Sequence, residues 1–367
     1  MNIRVSASGK SILMGEHAAV YGRPALVAAV DRRLTVEMSA RDDSTVVLEL
    51  PGVGVSTVVE WGEIDDYTLR ARGRWEAYDR DPGPEAFRRL RGDDPAHLVK
   101  VALGEAAGFL GEKDGRGLEL RLESEIPVGA GFGSSAAAAV AVVRGLVALR
   151  GRRIAADELH RVTLDVERRQ HGRPSGIDNA TVILGGLVWA ERDADDRLTT
   201  SPLAPGSPVL ENVEIFNTGE PAESTGDVVA AVRERVRAEP ERYEALLDRM
   251  EAATRELRRA LESADDPARR VVGLMREFEA CLEALGVVPE PVRQIVREIE
   301  KRGGAAKISG AGALSGDGAG SVLVYHPRTE LRASELPRTW KRLDLRLGAA
   351  GVREESREGA EGGPGEA

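Results

Sequence analysis

Residues 127–135 read Pro-Val-Gly-Ala-Gly-Phe-Gly-Ser-Ser and lead directly into an alanine-rich run. Glycine at alternate positions lets the backbone turn tightly with little side-chain bulk in the way. Where such a loop enters a helix, free N–H groups and the positive end of the helix dipole converge on one spot, a favourable place for phosphate. Gly129, Gly131, Gly133 and Ser134 would form that cradle, and the Ser135 hydroxyl is a candidate magnesium ligand. Taken alone, the stretch is as readily an ordinary glycine-rich turn.

Three further segments carry chemistry-bearing side chains. Ser8-Gly9-Lys10 continues to Gly15-Glu16-His17, so a cation, an acceptor and a donor lie near a strand end. The spacing is not that of a Walker A loop, and in isolation a solvated loop is the simpler reading. Glu167 and His171 precede Pro174-Ser175-Gly176-Ile177-Asp178-Asn179, where a Gly/Pro turn can hold an aspartate in one place. A capping Asp is the plain alternative. Lys307-Ile308-Ser309-Gly310-Ala311-Gly312 opens a second glycine-rich stretch that reaches Gly320, just before an apolar strand.

The elements that must position these groups follow from periodicity. Residues 2–7, 25–38, 45–50 and 55–60 are β-prone, and Leu118, Leu120 and Leu122 alternate with charges as in a half-buried strand feeding the first glycine loop. Helices are predicted over 98–111, 134–150 and 155–170, and Thr181–Leu184 is a strand candidate. Residues 63–95, rich in charge, Gly and Pro, are predicted to be a partly helical, solvated insertion. Beyond an Asp- and Pro-rich boundary near 190–210, helices are expected over 224–262 with a break near Pro240, then near 266–284 and 289–302. The glycine-rich stretch 303–320 is read as a loop before the strand 321–325. The end of the chain, Gly-, Glu- and Ala-rich, is expected to be disordered.

The 367 residues suit two domains. Hydrophobic residues make up 42% but aromatics only 4%, so the cores must be built from Ala, Val, Leu and Ile. A net charge of −10 argues against nonspecific binding to nucleic acid or anionic membranes, though not against a phosphorylated ligand held locally. The single cysteine, Cys281, excludes an internal disulfide and a thiolate metal cage. No secretory signal is read at the N-terminus, and the apolar run 136–149 is short and broken by Arg144, so a cytoplasmic protein is expected.

Taken together, the four segments resemble the GHMP small-molecule kinase superfamily, and within it the mevalonate kinase family. Residues 127–137 are similar to its Pro-x-x-x-Gly-Leu-Gly-Ser-Ser-Ala-Ala motif, with Phe132 for Leu. Gly15-Glu16-His17-Ala18-Ala19-Val20-Tyr21-Gly22, His171–Asn179 and Lys307–Gly312 match the other motifs, and the likeness spans about residues 3–325. It implies an α+β fold with an N-terminal domain over 1–195, like domain 2 of ribosomal protein S5. A ferredoxin-like domain would follow over 196–345 and a tail over 346–367. It implies ATP and mevalonate as substrates, Mg²⁺ as cofactor, no nucleic-acid or membrane partner, and allows a homodimer. Asp178 would take the proton of the 5-hydroxyl, with Lys10 stabilising charge. Ser135 and Glu167 would hold the metal, Glu16, His17 and Thr225 would contact mevalonate, and Gly310 and Gly312 would support the site. The third motif departs from the family in length, and Asp317 would repel phosphate unless it faces away.

Two other readings share these features. One is a different GHMP kinase, for phosphomevalonate, a sugar or homoserine. A phosphorylated acceptor would ask for extra cations, and Arg23 and Arg173 are the candidates. The other is a catalytically silent ligand-binding regulator, against which Lys10, Ser135, Glu167 and Asp178 stand as chemically competent groups.

Overall fold

A computed structural model describes residues 2–111, 115–127, 131–204, 208–263, 267–327 and 336–355. The chain opens with two long antiparallel strands, β1 (Asn2–Met14) and β2 (Ala25–Ala40), whose register shifts between Ser8 and Gly9. The hairpin β3 (Thr45–Leu50) and β4 (Val55–Glu60) follows. A capping box between Glu60 and Glu63 then starts α1 (Trp61–Arg80). After α2 (Pro84–Arg91) and α3 (His97–Leu110), β5 (Leu118–Ser124) inserts beside β2, antiparallel to it and parallel to β3.

The alanine-rich run forms α4 (Ser134–Leu149), which is buried on nearly every face. Its small side chains let it lie close on β1 and β2. α5 (Ala156–His171) packs on α4, and α6 (Ile177–Leu184) packs against both helices and against β1 and β2 beside α4. The strand predicted over 181–184 is therefore the last half of a helix. Its short apolar run carries no usable period, and Gly176, left-handed at φ 82°, starts the helix ahead of it. The hairpin β6 (Leu187–Arg192) and β7 (Leu198–Leu203) pairs with β2 and completes the first sheet, so this layer continues past residue 195. The sheet order is β12-β1-β2-β5-β3-β4, with β12 (Arg353–Glu354) arriving from the far end of the chain.

The second half contributes β8 (Val213–Asn217), α7 (Thr225–Ala238), α8 (Pro240–Glu262), α9 (Pro267–Leu285), α10 (Glu290–Lys301), β9 (Ala305–Ser309), β10 (Ser321–Tyr325) and β11 (Lys341–Leu343). The four strands form an antiparallel sheet in the order β11-β8-β10-β9, and α9 and α10 pack on β9. All five residues of β9 are buried, which is why it shows no alternation and reads from sequence as part of a loop.

The segment 63–95 is helical and largely solvated, as expected, and it is anchored: α1 buries Ile64, Thr68 and Ala71 and packs on α3 and α5. One further expectation changes. Residues 346–355, expected to be disordered, return to the first sheet. β12 (Arg353–Glu354) pairs with β1, and Arg33 donates to the carbonyls of Ala350 and Gly351, each at 2.7 Å. Gly186 N–H donates to Ala349 and Val352 N–H to Val182, tying this segment to the end of α6. Such backbone pairing needs few apolar side chains, so composition does not signal it. The rest of the tail, 356–367, lies outside the described residues.

Candidate active site

β1 carries Lys10 inward along the mouth of the first glycine loop. Its backbone N–H donates to Phe132 O at 2.9 Å. Gly133, left-handed at φ 70°, is the residue before α4, and a Cβ there would sit 2.9 Å from Lys10 Cγ. Only glycine lets the loop lie on the lysine stem. The Lys10 ammonium lies 3.2 Å from Asp178 Oδ1, with side-chain exposures of 6% and 38%. Asp178 stands in the first turn of α6, and His160 Nε2 donates to Gly176 O just before it at 2.9 Å. The lysine is thus shielded while its carboxylate partner meets solvent.

Ser134 and Ser135 open α4, where unsatisfied N–H groups gather. Ser135 Oγ donates to Glu167 Oε1 at 2.5 Å and lies 3.1 Å from His171 Nε2. Glu167 is buried on α5, and burial pushes its pKa up to about 7. The nearby Asp178 charge adds to that rise, while the Ser135 hydrogen bond and Lys10 oppose it. His171 is held below its ordinary pKa, mainly by desolvation. Ser135 and Glu167 are adjacent hard oxygen donors, and a cation placed between them would relieve a buried carboxylate. This fits Mg²⁺, which takes few protein ligands and completes its shell with water and phosphate oxygens. Among the described residues no cluster of three or more His, Cys, Asp or Glu could hold a metal by itself.

The second glycine-rich stretch faces this loop from the other sheet. Gly131, at φ 81°, approaches Ser309 O, and Ser309 Oγ donates to Ile12 O at 3.0 Å and lies 3.1 Å from Ser11 Oγ. Gly310 and Gly312 are left-handed, at φ 108° and 71°. A Cβ on Gly312 would fall 2.2 Å from Val287 O, so close packing requires glycine there. The long end of the stretch is held by Thr218, whose Oγ1 donates to Gly320 O and accepts from Ala319 N–H, both at 2.9 Å. Asp317 is exposed.

Glu16 pairs with Lys307 from β9, and both side chains are buried. His17, at φ 58°, is buried and its Nε2 donates to Ala311 O at 2.9 Å. Thr225 is exposed at the start of α7; its neighbour Glu223, rather than Thr225, reaches the second loop, accepting from Leu314 N–H at 2.9 Å. Gly129 lies outside the described residues.

Lys307, Ser309 and His171 are named in the sequence only as parts of their motifs, with no individual role; the structure sets His171 one helical turn after Glu167 on α5 and against Ser135. The two cation candidates are engaged elsewhere. Arg23 pairs with Glu244, Asp248 and Glu251 of α8, and Arg173 with Asp79 of α1 at 3.0 Å.

Residues 97–186 match the GHMP kinases N terminal domain. Over 359 residues the chain is 30% identical to a mevalonate kinase of Methanothermobacter thermautotrophicus, covering 96% of this chain and 100% of the relative. The fold is similar to the crystal structure of the Methanococcus jannaschii mevalonate kinase, with TM-score 0.72 and 20% identity over 95% of this chain and 98% of that one. It is also similar to a Streptococcus pneumoniae phosphomevalonate kinase in complex with phosphomevalonate and AMPPNP, with TM-score 0.68 and 17% identity over 94% and 99%. The structural likenesses establish the fold; the acceptor must be argued from the site.

Proposed function

We infer function from kinship first: this chain belongs to the GHMP kinase family, and within it to the mevalonate kinases. It transfers the γ-phosphoryl group of ATP to the 5-hydroxyl of mevalonate, giving 5-phosphomevalonate for isoprenoid biosynthesis. The observation that carries the chemistry is the Lys10–Asp178 pair, 3.2 Å apart at the mouth of the glycine loop. Phosphoryl transfer asks mainly for positioning and charge neutralisation. Asp178, with its carboxylate open to the cleft, accepts the proton of the attacking hydroxyl. Lys10 steadies the developing alkoxide and the phosphoryl oxygens. The N–H groups at the start of α4 receive the ATP phosphates. Ser135 and Glu167 would hold Mg²⁺, which when bound neutralises charge on the phosphate oxygens. The buried His17 lines the acceptor side.

The engagement of Arg23 and Arg173 in other ion pairs supports an acceptor without its own phosphate. A coupled ADP-release assay across mevalonate, phosphomevalonate, galactose and homoserine tests this. Turnover of mevalonate alone is expected. Turnover of another acceptor with none of mevalonate would replace this reading by that acceptor's kinase.

A further inference from the structure

We propose that Lys307 is a positioning residue for the acceptor side of the site, acting through Glu16 to hold His17 in place; this rests on the mevalonate kinase reading above. The turn at 15–19 carries its own backbone bonds, from Ala18 N–H to Glu16 O and from Ala19 N–H to Gly15 O, but its Glu16 and His17 side chains are held from the other sheet. His17 occupies a left-handed conformation that a residue with a Cβ rarely adopts unless its surroundings enforce it. Two tethers join this turn to one stretch of the other sheet. Below, the Lys307 ammonium pairs with Glu16; above, His17 donates to Ala311 O, four residues farther along the same stretch. A third stitch, Ser309 to Ser11 and Ile12, aligns β9 with β1.

The interior gives the ammonium few alternatives. Lys307 Nζ also donates to Ile308 O at 2.6 Å and lies 5.5 Å from the centre of the Phe278 ring. Glu279, likewise buried, accepts from Ile308 N–H at 3.1 Å. One oxygen of Glu16 and one of Glu279 have no hydrogen-bond partner among the described residues. The Lys307 charge is therefore what makes Glu16 tolerable inside the protein. Without it, Glu16 must either take up a proton or turn toward water, and either change loosens the tether that holds the His17 turn against β9.

The test compares Lys307→Met, Glu16→Gln, the double variant and Lys307→Arg by steady-state kinetics, with melting temperature measured alongside. Lys307→Met is expected to raise the mevalonate KM by about tenfold or more while the ATP KM stays within about twofold. The double variant leaves no orphaned charge and is expected to recover to within about threefold of wild type. Lys307→Arg should fall between them. A lowered melting temperature with an unchanged mevalonate KM would make Lys307 purely structural. A double variant as impaired for mevalonate as Glu16→Gln alone would mean that Glu16 acts by its own charge on the substrate. If Lys307→Met does not fold, the double variant decides alone, and failure of both to fold overturns the proposal. Wild-type turnover of mevalonate, measured in the same series, separates failure of this proposal from failure of the functional reading.

Discussion

Two lysine–carboxylate pairs lie at the junction of the two sheets, and they differ in almost every physical respect. Lys10 and Asp178 meet at 3.2 Å with the carboxylate 38% exposed, whereas Lys307 and Glu16 are sealed at 0% and 1%. An open pair can give its cation an incoming phosphoryl oxygen at small cost, because water covers the carboxylate left behind. A sealed pair cannot, since removing one member strands a charge in a medium that solvates it poorly. The first is suited to chemistry and the second to holding geometry, although the residue types are nearly the same.

The largest expected effect strikes the open pair. Asp178→Asn should lower kcat by about 10²–10⁴-fold with binding of a non-hydrolysable ATP analogue retained, as read by ADP release and calorimetry. Retention of turnover to within tenfold (about 1.4 kcal/mol) would remove Asp178 from the chemistry and erase the contrast. The sealed pair should answer in stability as well as in the mevalonate KM. Lys307→Met is expected to cost about 3–5 kcal/mol in denaturant unfolding. Lys10→Met should cost clearly less, because the Asp178 it leaves behind reaches water. Equal losses would show that burial does not separate the two.

Glu279 sharpens the same point through pH. Burial, opposed by Lys307, raises its pKa from 4.5 to about 8. Between those values the folded protein keeps a proton that the unfolded chain releases, so this group makes stability fall as pH rises, by at most about 1.4 kcal/mol per unit. Glu279→Gln should flatten the decline between pH 5.5 and 7.5 in urea titrations, and an unchanged slope would mean that the carboxylate stays ionised. The smallest effect is expected at Arg23, whose three partners on α8 lie at the surface. Arg23→Ala should cost about 1 kcal/mol or less, and a loss comparable to that of Lys307→Met would place it with the sealed pair.

The legible part of this molecule is the part whose physics is local. Alternate glycines before an alanine run announce a tight loop and a buried helix whatever lies around them, and the loop 131–135 and α4 follow that pattern. The helices of the second half, including the break before Pro240, are likewise written in their periodicity. Elements buried on all sides are not legible. β9 has no polar face to alternate with, and α6 is too short to show its period. Residues 346–355 pair through backbone groups that every sequence possesses.

By itself, the sequence determined the family, the α+β class and the residue types available to a kinase. Tertiary structure alone decided which lysine met which carboxylate. Glu16 and Lys307 are 291 residues apart, and nothing in either neighbourhood announces the other. Ion pairing depends on distance and on access of water, and both are properties of the folded path rather than of the order of residues along it.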